Sequence, residues 1–169
     1  MALPRKLKNF NLFIDGESYA GLVPEITLPK LSRKTEEYVA GGMPGAVNVA
    51  MSLEALELQF TLAGMDARLF RQFGNTNTAA TLLRFAGAMQ DDATGAVLPV
   101  EIVTRGFYKE LDPGAATAGE KLETKLTASL SYYKVTISGE TVIEIDMVNF
   151  IEIIGGTDYA AEVRRAIGL

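Results

Sequence analysis

The sequence predicts a mainly β protein, an antiparallel two-sheet sandwich or barrel with a short flanking helix and a C-terminal helix. Three observations carry that expectation. Apolar and polar residues alternate at period two in several segments, most cleanly where Leu56, Leu58, Phe60 and Leu62 interleave with Glu57, Gln59 and Thr61. Glycine-bearing turns such as Asp15-Gly16 and Ser138-Gly139-Glu140 separate these segments. Helical spacing with end signals is confined to Asp66–Phe73 and to the stretch from Thr157 or Asp158 to about Ile167.

Taken in order, Arg5, Lys6 and Lys8 form a basic N-terminal arm. Leu12 to Ile14, Asp15-Gly16 and Ser18 to Val23 read as a hairpin, because Asp-Gly suits a type I′ turn. Pro24 interrupts it, Glu25 to Leu28 resumes as a strand, and Arg33 to Val39 is a charged strand. Ala40 to Gly45 is too rich in glycine and proline for regular structure and reads as a mobile loop. Val47 to Leu53 and Ala55 to Leu62 are strands. Asp66 can cap a helix in which Leu69, Phe70 and Phe73 share one face and Gly74 ends the run. Two helical turns are not stable alone, so this helix must pack on a sheet. Leu82 to Gln90 and Val97 to Leu111 are strands around the Asp91 to Gly95 turn, and Asp112-Pro113-Gly114 with Ala115 to Glu120 links them to the next segment.

Lys121 to Ile154 is the longest strand-type run. Leu122, Leu126, Ala128, Leu130 and Tyr132 hold even positions, and then the apolar set jumps to Tyr133, Val135 and Ile137. A regular strand cannot change parity without exposing its core face, so a β-bulge or bend is expected at Tyr132-Tyr133. Val142, Ile143, Ile145 and Met147 return as the second arm of a long hairpin. The first arm, about 17 residues at about 3.3 Å each, would span about 55 Å, far beyond ordinary strand lengths. Such an arm either bends between two sheets or projects beyond its own domain, where its backbone groups need another chain.

A length of 169 residues suits one domain with a real core, and 48% apolar with 22% charged residues lies in the globular range. The absence of cysteine excludes a disulfide framework and a thiolate metal site. The basic start is followed by the strand-like Phe10 to Ile14 instead of an apolar core, and no apolar run reaches the ~20 residues of a membrane span. The expected protein is soluble, made in the cytosol and not inserted in a membrane. A net charge of -5 argues against binding nucleic acid by phosphate neutralisation.

No catalytic, cofactor-binding or metal-ligating residue is expected. There is no histidine, which removes the commonest general base and metal ligand. Ser18 brushes against a nucleophile elbow, but the second glycine and an activating imidazole are missing. Gly114 and Gly119 have phosphate-loop spacing, yet Glu120 stands where lysine is required. The adjacent carboxylates Glu36-Glu37 and Asp91-Asp92 point to opposite faces of an extended chain. The residues describe a structural or binding module.

Several short pieces, in order and with agreeing spacing, resemble the major tail tube proteins of contractile-tailed phages and the related R-type bacteriocins. They are Asn11 to Gly16, Thr27 to Leu31, Ala40 to Met43, Glu110 to Gly114, Ala118 to Lys121, Ser131 to Lys134, Glu144 to Asp146 with Asn149, and Ile167 to Leu169. Met65 to Ala96 carries the least of the likeness. The resemblance implies one tail tube domain over residues 1–169 with extended N- and C-terminal arms. It implies hexameric rings stacked into a hollow tube that conducts double-stranded DNA, with a tail sheath protein outside, a tape-measure protein inside and baseplate and tail terminator proteins at the ends. It places the chain in the virion tail, after synthesis in the host cytoplasm, with no cofactor. Glu36 to Ala46, Asp112 to Glu120 and the arms become inter-ring contacts, and Glu57, Glu123, Glu144 and Asp146 become candidates for an acidic lumen or rim. The alternatives are the tube of a bacteriocin or injection machine without a genome and, in a different class, a small-molecule-binding β-barrel.

Overall fold

The computed structural model describes residues 3–169. In chain order it runs β1 (Arg5–Ile14), β2 (Glu17–Ser18), β3 (Glu25–Thr27), β4 (Arg33–Tyr38), β5 (Val47–Leu53), β6 (Leu56–Ala63), α1 (Ala67–Gln72), β7 (Thr81–Asp91), β8 (Val97–Asp112), β9 (Glu123–Ile137), β10 (Glu140–Asp146), β11 (Ile151–Ile154), β12 (Thr157–Asp158) and α2 (Ala161–Ala166). Among the described residues, ten strands make one antiparallel sheet and β4 with β5 makes a separate hairpin.

The sheet forks at β9. On one edge β8 pairs along β9 from Lys125 to Ile137. On the other edge β6 takes residues Glu123 to Leu130, and β10 takes Tyr132 to Ile137. The two layers predicted from alternation are therefore arms of one forked sheet. The β3–β6 arm and the β8–β7–β1 arm close over a shared core that includes Leu58, Leu62, Leu126, Tyr108, Leu83 and Leu12. Ser131 is the extra residue at the fork, since Arg105 faces Tyr132 while Gly106 faces Leu130. That single insertion explains the parity jump. Leu126, Ala128 and Leu130 before it and Tyr133 and Val135 after it all stay buried on one side. The Ser131 hydroxyl donates to the Thr78 carbonyl at 2.6 Å and ties the bulge to the segment before β7.

Both predicted tight turns form with two successive positive φ angles, Asp15 (49°) with Gly16 (85°) and Ser138 (51°) with Gly139 (81°), as a type I′ turn requires. Other expectations are corrected. The long hairpin does not run to Ile154, because Asp146 ends its second arm. Its carboxylate accepts from the Val148 and Asn149 backbone N–H groups (3.0 and 2.9 Å) and from the Asn149 side chain (2.6 Å). This turn takes Met147 out of the strand and starts β11. Ser18 to Val23 is not a strand beyond Ser18: Tyr19 dives into the core at 3% exposure, and Gly21 (φ 80°) turns the chain. The basic arm is no arm from Arg5 onward, because Arg5 to Leu7 already pair with Asp91 to Met89 of β7. Met1 and Ala2 lie outside the described residues. At the other end Thr157 and Asp158 form β12 and do not cap α2 directly. Asp158 acts from further back, accepting from the Ala160 N–H at 3.0 Å and from Arg164 at 2.8 Å. Gly168 (φ 84°) closes the helix, with Gly168 N–H on the Arg165 carbonyl and Leu169 N–H on the Arg164 carbonyl.

α1 begins as predicted, with the Asp66 carboxylate accepting from the Arg68 N–H at 2.8 Å. Its expected apolar face is narrower than the spacing implies: Leu69 is fully buried, while Phe70 and Phe73 stay 37% and 43% exposed. Asp66 also accepts the Tyr19 hydroxyl at 2.9 Å. Asp66→Ala is therefore expected to lose a helix cap and leave a core tyrosine without its acceptor, lowering stability by about 2 kcal/mol in a urea titration.

Candidate assembly surfaces

The period-2 pattern that builds the core also builds a polar outer face. On β9 the residues pointing away from the core are Lys125, Thr127 and Ser129, then, past the bulge, Tyr132, Lys134 and Thr136. Glu57 and Gln59 of β6 flank the first group, and Glu144 of β10 lies opposite Lys134. Of the acidic candidates read from the sequence, Glu57 and Glu123 sit on the same outer face of the β6–β9 arm, and Glu144 and Asp146 on β10 across the fork. Glu57 is held by an ion pair with Lys109. Glu144 accepts the Tyr132 hydroxyl at 2.9 Å, and burial together with that bond pushes the Tyr132 pKa up to about 12. Burial pushes the Asp146 pKa up, but the bonds from Asn149 and Val148 outweigh it and hold the carboxyl below its ordinary value. These groups are spread along a wall and do not converge on a point. Among the described residues no three metal-ligating side chains cluster.

Among the described residues, two long edges carry no strand. β1 pairs with β7 on one side, but β2 covers only Phe13 and Ile14 on the other, leaving the run from Arg5 open. β8 has β7 beside it only as far as Gly106, so Phe107 to Asp112 have β9 alone. The β4–β5 hairpin is exposed along nearly its whole length, with Arg33 at its base paired to Glu152 of β11. Sequence reasoning identifies the Ala40–Gly45 loop but misses that its flanking strands pair only with each other. Alternation of Tyr38, Glu36 and Lys34 against Glu37 and Thr35 is the available signal.

The groups weighed for catalysis have structural roles. Ser18 Oγ accepts from Asn11 Nδ2 at 2.8 Å and from the Ala20 N–H at 3.3 Å, as a turn former does. Asp91 accepts from the Ala93 N–H at 2.8 Å. Asp92 is held by Lys8 and Lys6, which keep its carboxyl below the usual range. Glu36 and Glu37 point to opposite faces of β4.

Across nearly its whole length, residues 4–168, the chain matches the family described as phage tail tube protein FII. The chain belongs to that family. The tail tube protein of Escherichia phage P2 is 41% identical to it over 172 residues, covering 100% of both chains. The major tail tube protein of Serratia phage KSP20 is 36% identical and covers 100% of this chain and 99% of its own. A chain of the sheath-tube complex of an extracellular contractile injection system, PVC, superposes with a TM-score of 0.58 at 15% identity. It covers 79% of this chain and 91% of that one, a likeness of fold. A member of the tail tube family is a structural component of a tail and not an enzyme.

One local test concerns α2, which buries none of its residues and is held to β12 by Asp158. The bond from Arg164 keeps the Asp158 carboxyl below its ordinary range, against desolvation that pushes it up. A depressed carboxyl contributes stability above its unfolded pKa and loses it as the pH falls through the folded one. Acidification below about pH 4 is therefore expected to loosen α2. Asp158→Asn should do so at neutral pH, read as a several-fold faster amide exchange at Arg164 to Leu169.

Proposed function

We propose that this tail tube protein assembles as one wall domain per subunit, residues 1–169, into hexameric rings that stack into a hollow tube. The observation that carries this reading is the unfinished sheet: among the described residues, β1 from Arg5 and β8 from Phe107 to Asp112 each have a partner strand on one edge alone. Open edges of this length invite pairing with another chain. Two different edges on one subunit make a heterologous contact, which closes into a ring when the rotation allows. Lys6 and Lys8 on β1 discourage indiscriminate pairing of that edge by their charge.

The tube encloses a tape-measure protein during assembly and passes double-stranded DNA during ejection, with the tail sheath protein around it and baseplate and tail terminator proteins at its ends. A chain of net charge -5 whose outer strand faces interleave Glu57, Glu123 and Glu144 with Lys125 and Lys134 offers phosphate no continuous cationic track, so it repels DNA weakly and lets it slide. Subunits made in the host cytoplasm enter the virion tail in this way. That both curated relatives are phage proteins favours a genome-carrying tail over a bacteriocin tube. The β4–β5 hairpin, the Asp112–Glu120 segment and the chain ends supply contacts between rings.

Negative-stain microscopy of the purified chain at high concentration is expected to show six-fold rings or hollow filaments about 100 Å wide. A well-folded monomer at every concentration would overturn the reading.

A further inference from the structure

The outer face carries a groove in which two neighbouring cations make no ion pair. Arg105 of β8 and Lys134 of β9 make no ion pair among the described residues. They lie on the floor of a groove of about 510 Å³, together with Val103 and Tyr132. Its walls are the Thr78-Ala79 segment and the turn from Asp146 to Asn149. The Ser131 bulge creates this groove by tying the Thr78 segment over the fork. Glu144 and Asp146 stand on β10 across from Lys134 and Tyr132, so the groove presents a row of cations beside a row of carboxylates, a charge pattern that a partner of the reverse pattern would match.

The β4–β5 hairpin carries the complementary pattern. Tyr38 pairs with Val47 and Glu36 with Val49, so these four side chains share one face. The three apolar ones are 46–56% exposed, and Glu36 makes no ion pair among the described residues. Lys34 follows on the same face, about 6.7 Å from Glu36 at the strand rise. Neighbouring strands lie about 4.8 Å apart, so a hairpin laid across the groove with Glu36 over Lys134 and Arg105 brings Lys34 toward the acidic Glu144 and Asp146 of β10. Apolar surface meets apolar surface, and each charge meets its opposite.

We infer that the groove over the Ser131 bulge is the seat for the β4–β5 hairpin of a second copy of this chain, with Glu36 paired to Arg105 and Lys134. This rests on the tube-forming reading above and adds the address of one intersubunit contact. A two-stranded hairpin is marginal alone, and docking supplies the surface that its apolar face lacks.

The chain has no cysteine, so introduced ones report cleanly. Protein carrying Glu36→Cys, mixed with protein carrying Lys134→Cys and oxidised after assembly, should give a disulfide-linked dimer on a non-reducing gel. Arg71→Cys, on the exposed side of α1, in place of Lys134→Cys should give none. Independently, Glu36→Arg should raise the concentration needed for assembly about tenfold or more, and combining it with Arg105→Glu should recover most of the loss. Tubes that assemble from the Glu36→Cys and Lys134→Cys proteins without forming the disulfide, or a Glu36→Arg protein that assembles like the wild type, overturn the pairing and leave the tube reading standing. A wild-type chain that never assembles overturns both.

Discussion

Gly106→Val is expected to cost about 4 kcal/mol or more and to lower the thermal midpoint by about 10 °C. A Cβ at this position would stand 1.9 Å from the Ser129 carbonyl oxygen, 2.8 Å from its carbon and 3.0 Å from the Leu130 Cα. All three obstacles are backbone, so no rotamer change relieves them. β8 would have to lift from β9 where the sheet forks, breaking the Gly106–Leu130 and Phe107–Ser129 pairings beside the Ser131 bulge. Overpacking a core position alone costs about 1–3 kcal/mol, and each lost ladder bond adds about 1 kcal/mol. Gly41→Ala is the control, because nothing lies within 4 Å of its Cβ position, and it should stay within about 0.5 kcal/mol of wild type. At Gly87 the obstacles are the Phe85 ring and a Leu7 methyl, which can move, so Gly87→Ala should fall between the two. Urea denaturation of the three variants measures the order. A wild-type midpoint for Gly106→Val would mean that β8 and β9 do not meet in this register.

What can be read from the sequence follows physical range. The parity jump read at Tyr132-Tyr133 is a local constraint, and it locates the bulge within two residues of Ser131 because a strand cannot turn its core face outward unaided; only Tyr132, counted with the core set, turns out to face outward. Asp15-Gly16 is equally local, since the backbone of a type I′ turn selects those residues. The end of β10 is harder, because Ile143, Ile145 and Met147 continue the alternation. Only the Asp146 carboxylate, by capturing the Val148 and Asn149 N–H groups, stops the strand. The start of β1 reads as an arm because Lys6 and Lys8 answer to Asp92, 84 residues from Lys8, and not to a core. The fork at β9 and the Phe70 and Phe73 exposures depend on which strands share an edge, information that no window of sequence holds. The family likeness carries the functional class; the groove and its unpaired cations need the assembled sheet.

Replacing Thr35–Ala50 with a short Gly-Ser link should abolish stacked filaments while leaving the subunit folded. Thr35 and Ala50 are opposite each other, so joining the chain there removes the outer hairpin and keeps its base, where Arg33 pairs with Leu53 across the ladder and with Glu152 by charge. None of the deleted residues belongs to the buried core, so the thermal midpoint should move by no more than about 2 °C. Assembly is different, because the deletion removes the exposed apolar surface of Tyr38, Val47 and Val49. Covering about half of each side chain is worth about 1 kcal/mol apiece, and a total of about 3 kcal/mol changes an association constant about a hundredfold per contact. Between stacked rings each subunit makes the contact once as donor and once as acceptor, so the loss repeats at every contact from ring to ring. Circular dichroism separates folding from assembly, and light scattering with microscopy counts subunits. An unfolded or precipitating variant would show that the hairpin belongs to the core. Filaments of normal width would show that the open edges of β1 and β8 suffice to build the wall.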